Sequence, residues 1–537
     1  MNSPAAKSGA GKWMALTAAL LGWLFDGAEM GLFSLVGRPA IRELLGMTGT
    51  PTAAETQKVA FLFSVITAMF LVGAATGGVL FGWLGDRIGR VRAMSLSVIT
   101  YALFTGLCGF ATSAWQIAIL RFIAALGMGG EWSLGVALVM EVWPNRSRAL
   151  MAGLIGAAAN VGYLLVGFLG LVMDQVPGTI KNWLLTVGVS ATQADSLVGN
   201  GAWRLLMIMG VAPALLTFLF RIFVPESEKW EQEQQSGATS HWATRDLMGV
   251  LIGAIGPAVI IFVCAMEFPL WIRLVGSLFG VIVASVGYLY PVVQYLKRSC
   301  GVSEASTAQR RTIIGRMLLA ACLSGIALLG TWGSTQQTPS WAAEIAKPGV
   351  PDASGEKPTL SWTAQIASSN GPTAAGTTLI ALSLGAITGT IGGALIGGWL
   401  GRRITYCLLC LSSLASVWMW TNSCNVYGIE FLVYAFVAGT CTASFYGWLP
   451  LYLPELFGTN VRATGQGFGF NFGRILASVG TLQITALKGL FTGDITMLGL
   501  TFPKGYPALL STISMIYLLG AVIIWFAPET KGQPLPD

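Results

Sequence analysis

Residues 82–90 read GWLGDRIGR, and residues 398–404 read GWLGRRI, an offset of 316 positions. One echo of this kind is weak, so the surrounding residues decide. Glu141 precedes Arg148 by seven residues, and Glu455 precedes Arg462 by the same seven, an offset of 314. Each of these arginines is followed by an alanine and, five residues on, by Gly153 or Gly467. PES at 225–227 and PET at 528–530 close the two series. Three signals in one order indicate two homologous halves, 1–230 and 305–537, with 231–304 inserted between them.

Both halves have the composition of bilayer-embedded protein. Of 537 residues, 54% are hydrophobic and only 10% charged, with a mean hydropathy of +0.68. Soluble domains carry about 25% charged residues. A span needs about 20 predominantly apolar residues. Fourteen windows qualify: 13–36, 59–84, 92–112, 115–142, 149–173, 203–223, 247–268, 271–295, 312–333, 375–400, 404–422, 427–453, 463–490 and 506–527. The short alternating segments of a transmembrane barrel are missing. The expected fold is all-α and polytopic: two six-helix bundles, with the pair 247–268 and 271–295 as an extra hairpin after a cytoplasmic connector. The stretch 334–374, rich in Ser, Thr, Pro, Gly and Ala, reads as an irregular outer loop.

The net charge of +7 belongs to loops beside the membrane, not to a nucleic-acid surface. With the N-terminus inside, nineteen Lys and Arg fall on the inner side and ten on the outer, as the positive-inside bias requires. Arg38 and Arg42 run against that trend. The expected location is a plasma membrane, a bacterial inner membrane, with both termini cytoplasmic. The first span follows Lys7 and Lys12 as a signal peptide would. Its long apolar run and the missing small-residue cleavage site make it a retained helix. Most of the eight cysteines lie in apolar runs, and the one histidine, His241, lies in a polar connector. No disulfide framework, metal site, cofactor or nucleic-acid partner is expected. Two six-helix halves in parallel suit a transporter that rocks around a central site. Neither a filter-like loop nor a ring of like charges suggests a channel, and no nucleotide-binding motif suggests ATP-driven transport or another enzymatic activity.

Asp26 and Glu29 interrupt the first span, GWLFDGAEMGLF at 22–33, and three-residue spacing puts them on one helix face. An ionisable group inside a span is a functional candidate. Desolvation raises a carboxyl's proton affinity and a nearby arginine lowers it again. Asp26 is therefore the expected principal proton carrier, with Arg121, at a similar depth, displacing its proton. A permanent structural ion pair is the alternative. Glu131 is a further acid on the helix of Arg121. Arg474 lies near the middle of 463–490, where its guanidinium could hold a carboxylate through two parallel hydrogen bonds; tying helices together would be the plainer role. Its counterpart in the first half is Asn160, and Asn471 stands three residues before it. Trp332, Gln336 and Gln337 begin the polar end of span 312–333, or merely start the outer loop. Tyr446 and Trp448 lie at a proline-broken helix, where substrate paths often run, although an interfacial aromatic belt would look the same.

GWLGDRIGR resembles the signature of the major facilitator superfamily. Gly82 and Gly85 suit close helix approach, and Gly89 a tight turn. The resemblance implies that Asp86, Arg87 and Arg90, with Glu141, Arg148, Glu455 and Arg462, latch the inner side while the outer side is open. In the second copy Arg402 takes the position of Asp86, and Thr405 and Tyr406 those of Gly89 and Arg90. RFIAALGMGGEWSLGVALVMEVWPNRSRA, 121–149, resembles the sialic acid and lactate permeases, the sialate:proton symporter branch, as does the fourteen-span layout. RATGQGFGFNFGR, 462–474, is similar to a stretch also found in aromatic-acid:proton symporters. That branch has Asp-Gly-x-Asp in the first span, where this chain has Asp26-Gly27-Ala28-Glu29. The resemblance implies proton-coupled import of a small organic acid, sialate-like or monocarboxylate-like, by a monomer that alternates access. PES and PETKG also resemble the endings of sugar porters, so a sugar or polyol transporter is the alternative; a non-transporting receptor is a third reading.

Overall fold

The computed structural model describes residues 9–536 apart from 48, 50–51, 173–175, 212–223, 267, 301–303, 347–368, 370 and 425. Inner and outer below follow the orientation that the charge bias predicts.

Five long helices open the chain: α1 (Gly9–Leu44), α2 (Ala53–Ile88), α3 (Arg90–Cys108), α4 (Ala114–Val142) and α5 (Asn145–Val172). Two shorter ones follow, α6 (Val176–Thr186) and α7 (Ala191–Met209), the second kinked at 199–202. Next come α8 (Glu228–Gln235), α9 (Leu247–Ala265) and α10 (Leu270–Cys300). The second half holds α11 (Glu304–Gly333), α12 (Thr338–Ile345), α13 (Gly371–Leu400), α14 (Arg402–Ser423), α15 (Ile429–Ala443), α16 (Phe445–Tyr452) and α17 (Arg462–Leu490). A small antiparallel hairpin, β1 (Ile495–Met497) and β2 (Leu500–Phe502), leads to α18 (Tyr506–Ser514) and α19 (Ile516–Ile523).

Twelve helical stretches among the described residues are long and apolar enough to cross a membrane, not the fourteen expected. Most of the window 203–223 lies outside the described residues. The window 463–490 is one 29-residue helix, α17, but it carries Gln466, Asn471, Arg474 and Gln483. Part of the polar stretch 174–202, which lacks a spanning pattern, is helical as α6 and α7.

Local chemistry fixes where the helices stop. Thr52 and Glu55 form a reciprocal capping box at the start of α2, which satisfies two backbone donors that the first turn leaves open. Gly89 (φ +108°) and Gly401 (φ +101°) end α2 and α13 in a backbone region that favours glycine. Small residues set the spacing between helices. A Cβ on Gly77 would sit 1.9 Å from the Leu126 carbonyl oxygen, so α2 and α4 touch backbone to backbone. Gly27 does the same for α1 against Ala159 of α5. In a bilayer, where lipid is as apolar as leucine, such close packing supplies much of the association energy.

Two seams join the halves. At α2–α17, a Cβ on Gly467 would meet the Gly78 carbonyl oxygen at 2.2 Å. At α5–α13, a Cβ on Gly153 would meet Ile391 Cα at 2.9 Å. The inserted hairpin α9–α10 lies against the first seam. Tyr288 of α10 shares a 2.7 Å hydrogen bond with Thr76 of α2, and Arg273 donates to Gln483 of α17 at 3.1 Å. The hairpin is therefore tied to both halves.

Candidate functional site

The chemistry gathers in two places. The first lies between α1, α4, α5, α11, α16 and α17. Asp26, Glu29, Arg121 and Arg474 are all less than one-tenth exposed there. Arg121 pairs with Glu29 at 2.8 Å, and Thr105 donates to the same carboxylate oxygen at 3.4 Å. The expected pair was Asp26 with Arg121, and the structure corrects it. Glu29 lies one turn nearer the outer end of α1, and its extra methylene carries the carboxylate to Arg121. The rings of Phe33 and Phe70, 4.2 and 4.6 Å from the Arg121 guanidinium carbon, enclose that pair. Asp26 instead lies within electrostatic reach of Arg474.

Arg474 leaves two of its guanidinium nitrogens without partners. It is 7% exposed, and its Nε and Nη1 find no hydrogen-bond acceptor. Such a group forfeits roughly 1–3 kcal/mol per buried donor unless a ligand supplies the acceptor. Its guanidinium carbon stands 5.5 Å from the Phe470 ring, which stacks at 3.7 Å on Trp132, itself stacked on Trp23. Tyr163 and Tyr446, both neutral phenols, lie near Arg474. These two tyrosines line a cavity of about 40 Å³ with Asn160, Thr331, Thr335 and Gln336. Room for one or two waters is all that volume gives, so the helices are drawn in around the centre.

Several expected residues lie elsewhere. Asn471 donates to the carbonyls of Gly129 and Gly467, both at 3.1 Å, and so staples α17 to α4 instead of facing the cavity. Trp448 is fully buried between Tyr406 and Tyr452. Gln337 donates to the Trp332 carbonyl at the end of α11, and Trp332 packs on the cluster of Phe70, Leu71 and Ala477. Glu131 is fully buried, but ten residues down α4 puts it about 15 Å along the helix from Arg121. Tyr163, Thr331 and Thr335 are cavity residues that the sequence did not single out; as uncharged residues in apolar helices they carried no signal.

The second place is the inner end of the α2–α17 seam. Asp86 accepts from the backbone amides of Ala463 (3.2 Å) and Thr464 (2.9 Å) and from the Thr464 hydroxyl (2.6 Å). It thus caps the positive end of a helix in the other half. Arg90 pairs with Asp86 at 2.9 Å and with Glu141 at 3.3 Å, and donates to the Thr459 carbonyl at 2.7 Å. Arg462 completes the crossing by pairing with Glu141 at 2.7 Å. Gly82 permits this approach, since a Cβ there would meet the Ala463 carbonyl oxygen at 2.7 Å. Arg87 does not join the cluster. It lies over Trp83 and donates to Thr244 at 2.8 Å.

The second copy of the motif is shifted by one helical turn relative to the sequence match. Arg402 does not occupy the position of Asp86. Like Arg90, it follows the break-glycine, donates to the carbonyl five residues back (Gly397 for Arg402, Gly85 for Arg90), and pairs with the matching glutamate. Its partner is Glu455, held by two bonds of 2.6 and 2.8 Å. The true counterpart of Asp86 is Gly398, where a Cβ would meet Ala149 at 3.0 Å. Arg148, the match of Arg462, donates instead to the carbonyls of Met140 and Trp143 and to Asn145.

The repeated PES and PET signals turn out to be functional caps. Glu226 accepts from the amides of Arg90 (2.9 Å) and Val91 (3.0 Å). Glu529 accepts from those of Arg402 (2.9 and 3.0 Å) and Arg403 (3.1 Å). Burial pushes the Glu226 carboxyl above its ordinary range, against the pull of the Ser227 amide and the Arg90 charge. At Glu529 burial also pushes upward, but the amides of Arg402, Arg403 and Lys531 and the Arg402 charge hold it below that range.

The profile of the Major Facilitator Superfamily matches residues 18–346, more than half of the chain. The chain belongs to the major facilitator superfamily. An inner membrane metabolite transport protein of Escherichia coli, YgcS, is 25% identical over 517 residues, 95% of this chain and 90% of its own length. A cis,cis-muconate transport protein of Acinetobacter baylyi is 28% identical over 43% of this chain and 48% of its own length. A sialic acid transporter of E. coli, NanX, is 26% identical over 41% and 45% respectively. The chain spans about half the length of most curated relatives it matches. Among solved structures, the proton:xylose symporter XylE superposes with a TM-score of 0.62 at 17% identity, covering 98% of each chain. That likeness concerns the fold alone. The curated relatives named here are transporters, and this chain is a multi-pass membrane transporter of the same superfamily, not an enzyme.

Proposed function

We propose that the protein is a proton-coupled symporter that imports a small organic acid across a bacterial inner membrane by alternating access, with both termini in the cytoplasm. One observation carries this reading: Arg474 is buried beside the central cavity with two donors unspent. A substrate carboxylate would fill both through a fork geometry that lysine cannot reproduce. Asp26 competes for the same cation. When Asp26 takes up a proton, Arg474 loses its anionic neighbour and becomes available to the substrate, so proton and acid bind together. Glu29 and Arg121 form a second ion pair, at 2.8 Å, on the outer side of this centre. The names of the muconate and sialic acid relatives support a carboxylate cargo.

The test is uptake into proteoliposomes under an imposed pH gradient, comparing cis,cis-muconate, sialic acid and xylose. Wild-type protein is expected to accumulate an acid and not xylose. Asp26→Asn should retain acid exchange but lose accumulation driven by the gradient, and Arg474→Lys should lose affinity for the acid. Xylose uptake that survives Arg474→Lys would establish the sugar-transporter reading instead.

A further inference from the structure

A second cavity lies away from the centre, at the outer end of the first half. It has a volume of about 600 Å³ and is lined by the ends of α1 and α2 and by Asn200 of α7. Arg38 and Arg42 face it from one side of α1, four residues apart. These are two arginines on the side of the membrane that the positive-inside bias leaves poor in basic charge. Such placement calls for a local reason.

Neighbouring acids do not supply it in full. Glu43, also in the lining, is taken up by Arg204 at 3.0 Å, by the Trp203 indole at 2.7 Å and by Asn200 at 3.0 Å. Glu55 accepts from the Thr52 amide and hydroxyl at 2.8 and 2.9 Å, although Arg42 is within its electrostatic reach. Arg42 donates one Nη2 bond to the Gly49 carbonyl at 2.7 Å, and its buried Nε has no partner. Arg38 lies exposed, 5.3 Å from the centre of the Phe63 ring. The cavity is thus an open, positively charged bowl.

It is also connected to the centre. Phe63 stacks on Phe33 at 5.3 Å with the rings 4° from parallel, and Phe33 carries Arg121 on its face at 4.2 Å. Arg121 in turn holds Glu29. A ladder of cation, two rings, cation and carboxylate therefore runs from the bowl to the buried pair. Gly37 makes room for it, since a Cβ there would meet the Phe33 ring at 2.9 Å and the Phe63 ring at 3.0 Å.

We propose that Arg38 and Arg42 form an outer receiving site for a small carboxylate, separate from the central Arg474 site and closed off from it by the Phe33–Phe63 pair. This rests on the organic-acid reading for its ligand, while its geometry stands apart from that reading. Exposed cations concentrate an anion at a mouth and speed its capture, an effect that salt screens. The site would raise the rate of entry without fixing the final affinity.

The decisive experiment pairs two measurements on the full chain. In detergent, cis,cis-muconate is titrated calorimetrically into Arg474→Gln protein, which removes the central anchor. A weaker binding event is expected to remain, and adding Arg38→Gln and Arg42→Gln should weaken it at least tenfold. In proteoliposomes at low ionic strength, Arg38→Gln with Arg42→Gln should raise the apparent KM for muconate about tenfold, with the loss falling on KM more than on kcat. Arg38→Lys with Arg42→Lys, which keeps the charge, should stay within threefold of wild type, and 0.5 M salt should erase the difference. Muconate binding to Arg474→Gln protein that ignores Arg38 and Arg42 would overturn the proposal, whatever uptake shows. So would an effect that appears only in vesicles containing anionic lipid, which would assign the two arginines to a lipid headgroup. Failure of the organic-acid reading looks different: wild-type uptake of acids would be absent while the binding dependent on Arg38 and Arg42 persisted.

Discussion

The inner ends of the two halves carry the same parts and use them differently. In the first half, Asp86 reaches across the seam to the amides of Ala463 and Thr464, and Glu141 reaches across to Arg462. In the second, Arg402 and Glu455 close on each other within their own half, and Gly398 offers Ala149 no carboxylate. A duplicated sequence has thus produced one latch between halves and one brace within a half. The α2–α17 seam is fastened by charge, whereas the inner end of α5–α13 is fastened by packing. Only the first can be undone by changing the charge state of a few buried groups.

The largest effect should follow from Glu141→Gln. It leaves Arg90 and Arg462 without their shared carboxylate, and stranding buried charge costs about 3–5 kcal/mol. Melting temperature should fall, and the amides of residues 459–464 should lose protection in hydrogen exchange. Glu455→Gln strands Arg402 and should lower the melting temperature similarly, yet leave protection at 459–464 within about twofold. Equal loss of protection in both variants would mean that the second copy is also a latch.

Next comes Asp86→Asn, which removes a charged acceptor from a helix N-terminus. Hydrogen bonds to charged groups contribute about 1.5–3 kcal/mol, so exchange at Ala463 and Thr464 should quicken by tenfold or more. The reciprocal change, Gly398→Asp, places an acid where the second copy lacks one. Ala149 must give way by a few tenths of an ångström, and the expected result is slower exchange at the start of α5, by a few-fold. No change there would show that the α5 end cannot accept a cap.

The smallest effect concerns the two closing glutamates. The carboxyl of Glu226 is raised, so its contribution is fully present below the ordinary glutamate value and is lost as pH rises through its folded value. Glu529 is lowered, so its contribution is present above the ordinary value, about 4.3, and is lost as pH falls through its folded value. Melting profiles of Glu226→Gln and Glu529→Gln should therefore differ from wild type in opposite senses. The Glu226→Gln deficit should shrink on going from pH 4 to pH 8, and the Glu529→Gln deficit should shrink on acidification below pH 5. Parallel profiles would contradict the assignment.

Much of this architecture is legible in the sequence because spans and repeats are written in long runs. The helical class and the apolar hairpin between the halves follow from hydropathy. The seven-residue spacing of Glu141 to Arg148 and of Glu455 to Arg462 does not give the ion pairs, which join Glu141 to Arg90 and Arg462 and Glu455 to Arg402. Register within the repeat is harder. GWLG at 82–85 and GWLG at 398–401 are identical strings, but in the second copy the last glycine breaks the helix, while the first copy continues to Gly89. Identity of letters therefore masked a displacement of one turn, which only the φ angles of Gly89 and Gly401 resolve. The pairing of Arg121 with Glu29, not Asp26, depends on a difference of one methylene and one turn, beyond what depth counting can distinguish. Cavity residues such as Tyr163 and Thr331 are chosen by the crossing of helices from different halves.

The hairpin α9–α10 makes the two lateral faces of the molecule unequal. At α5–α13, apolar side chains such as Leu165, Phe168, Leu384 and Leu395 stand exposed, and acyl chains would press directly against them. At α2–α17 the same pressure falls first on a pair of helices bonded to both sides of the seam. A thicker or more tightly packed membrane would therefore squeeze one face more than the other. The lipid environment would enter the proposed rocking motion as a torque.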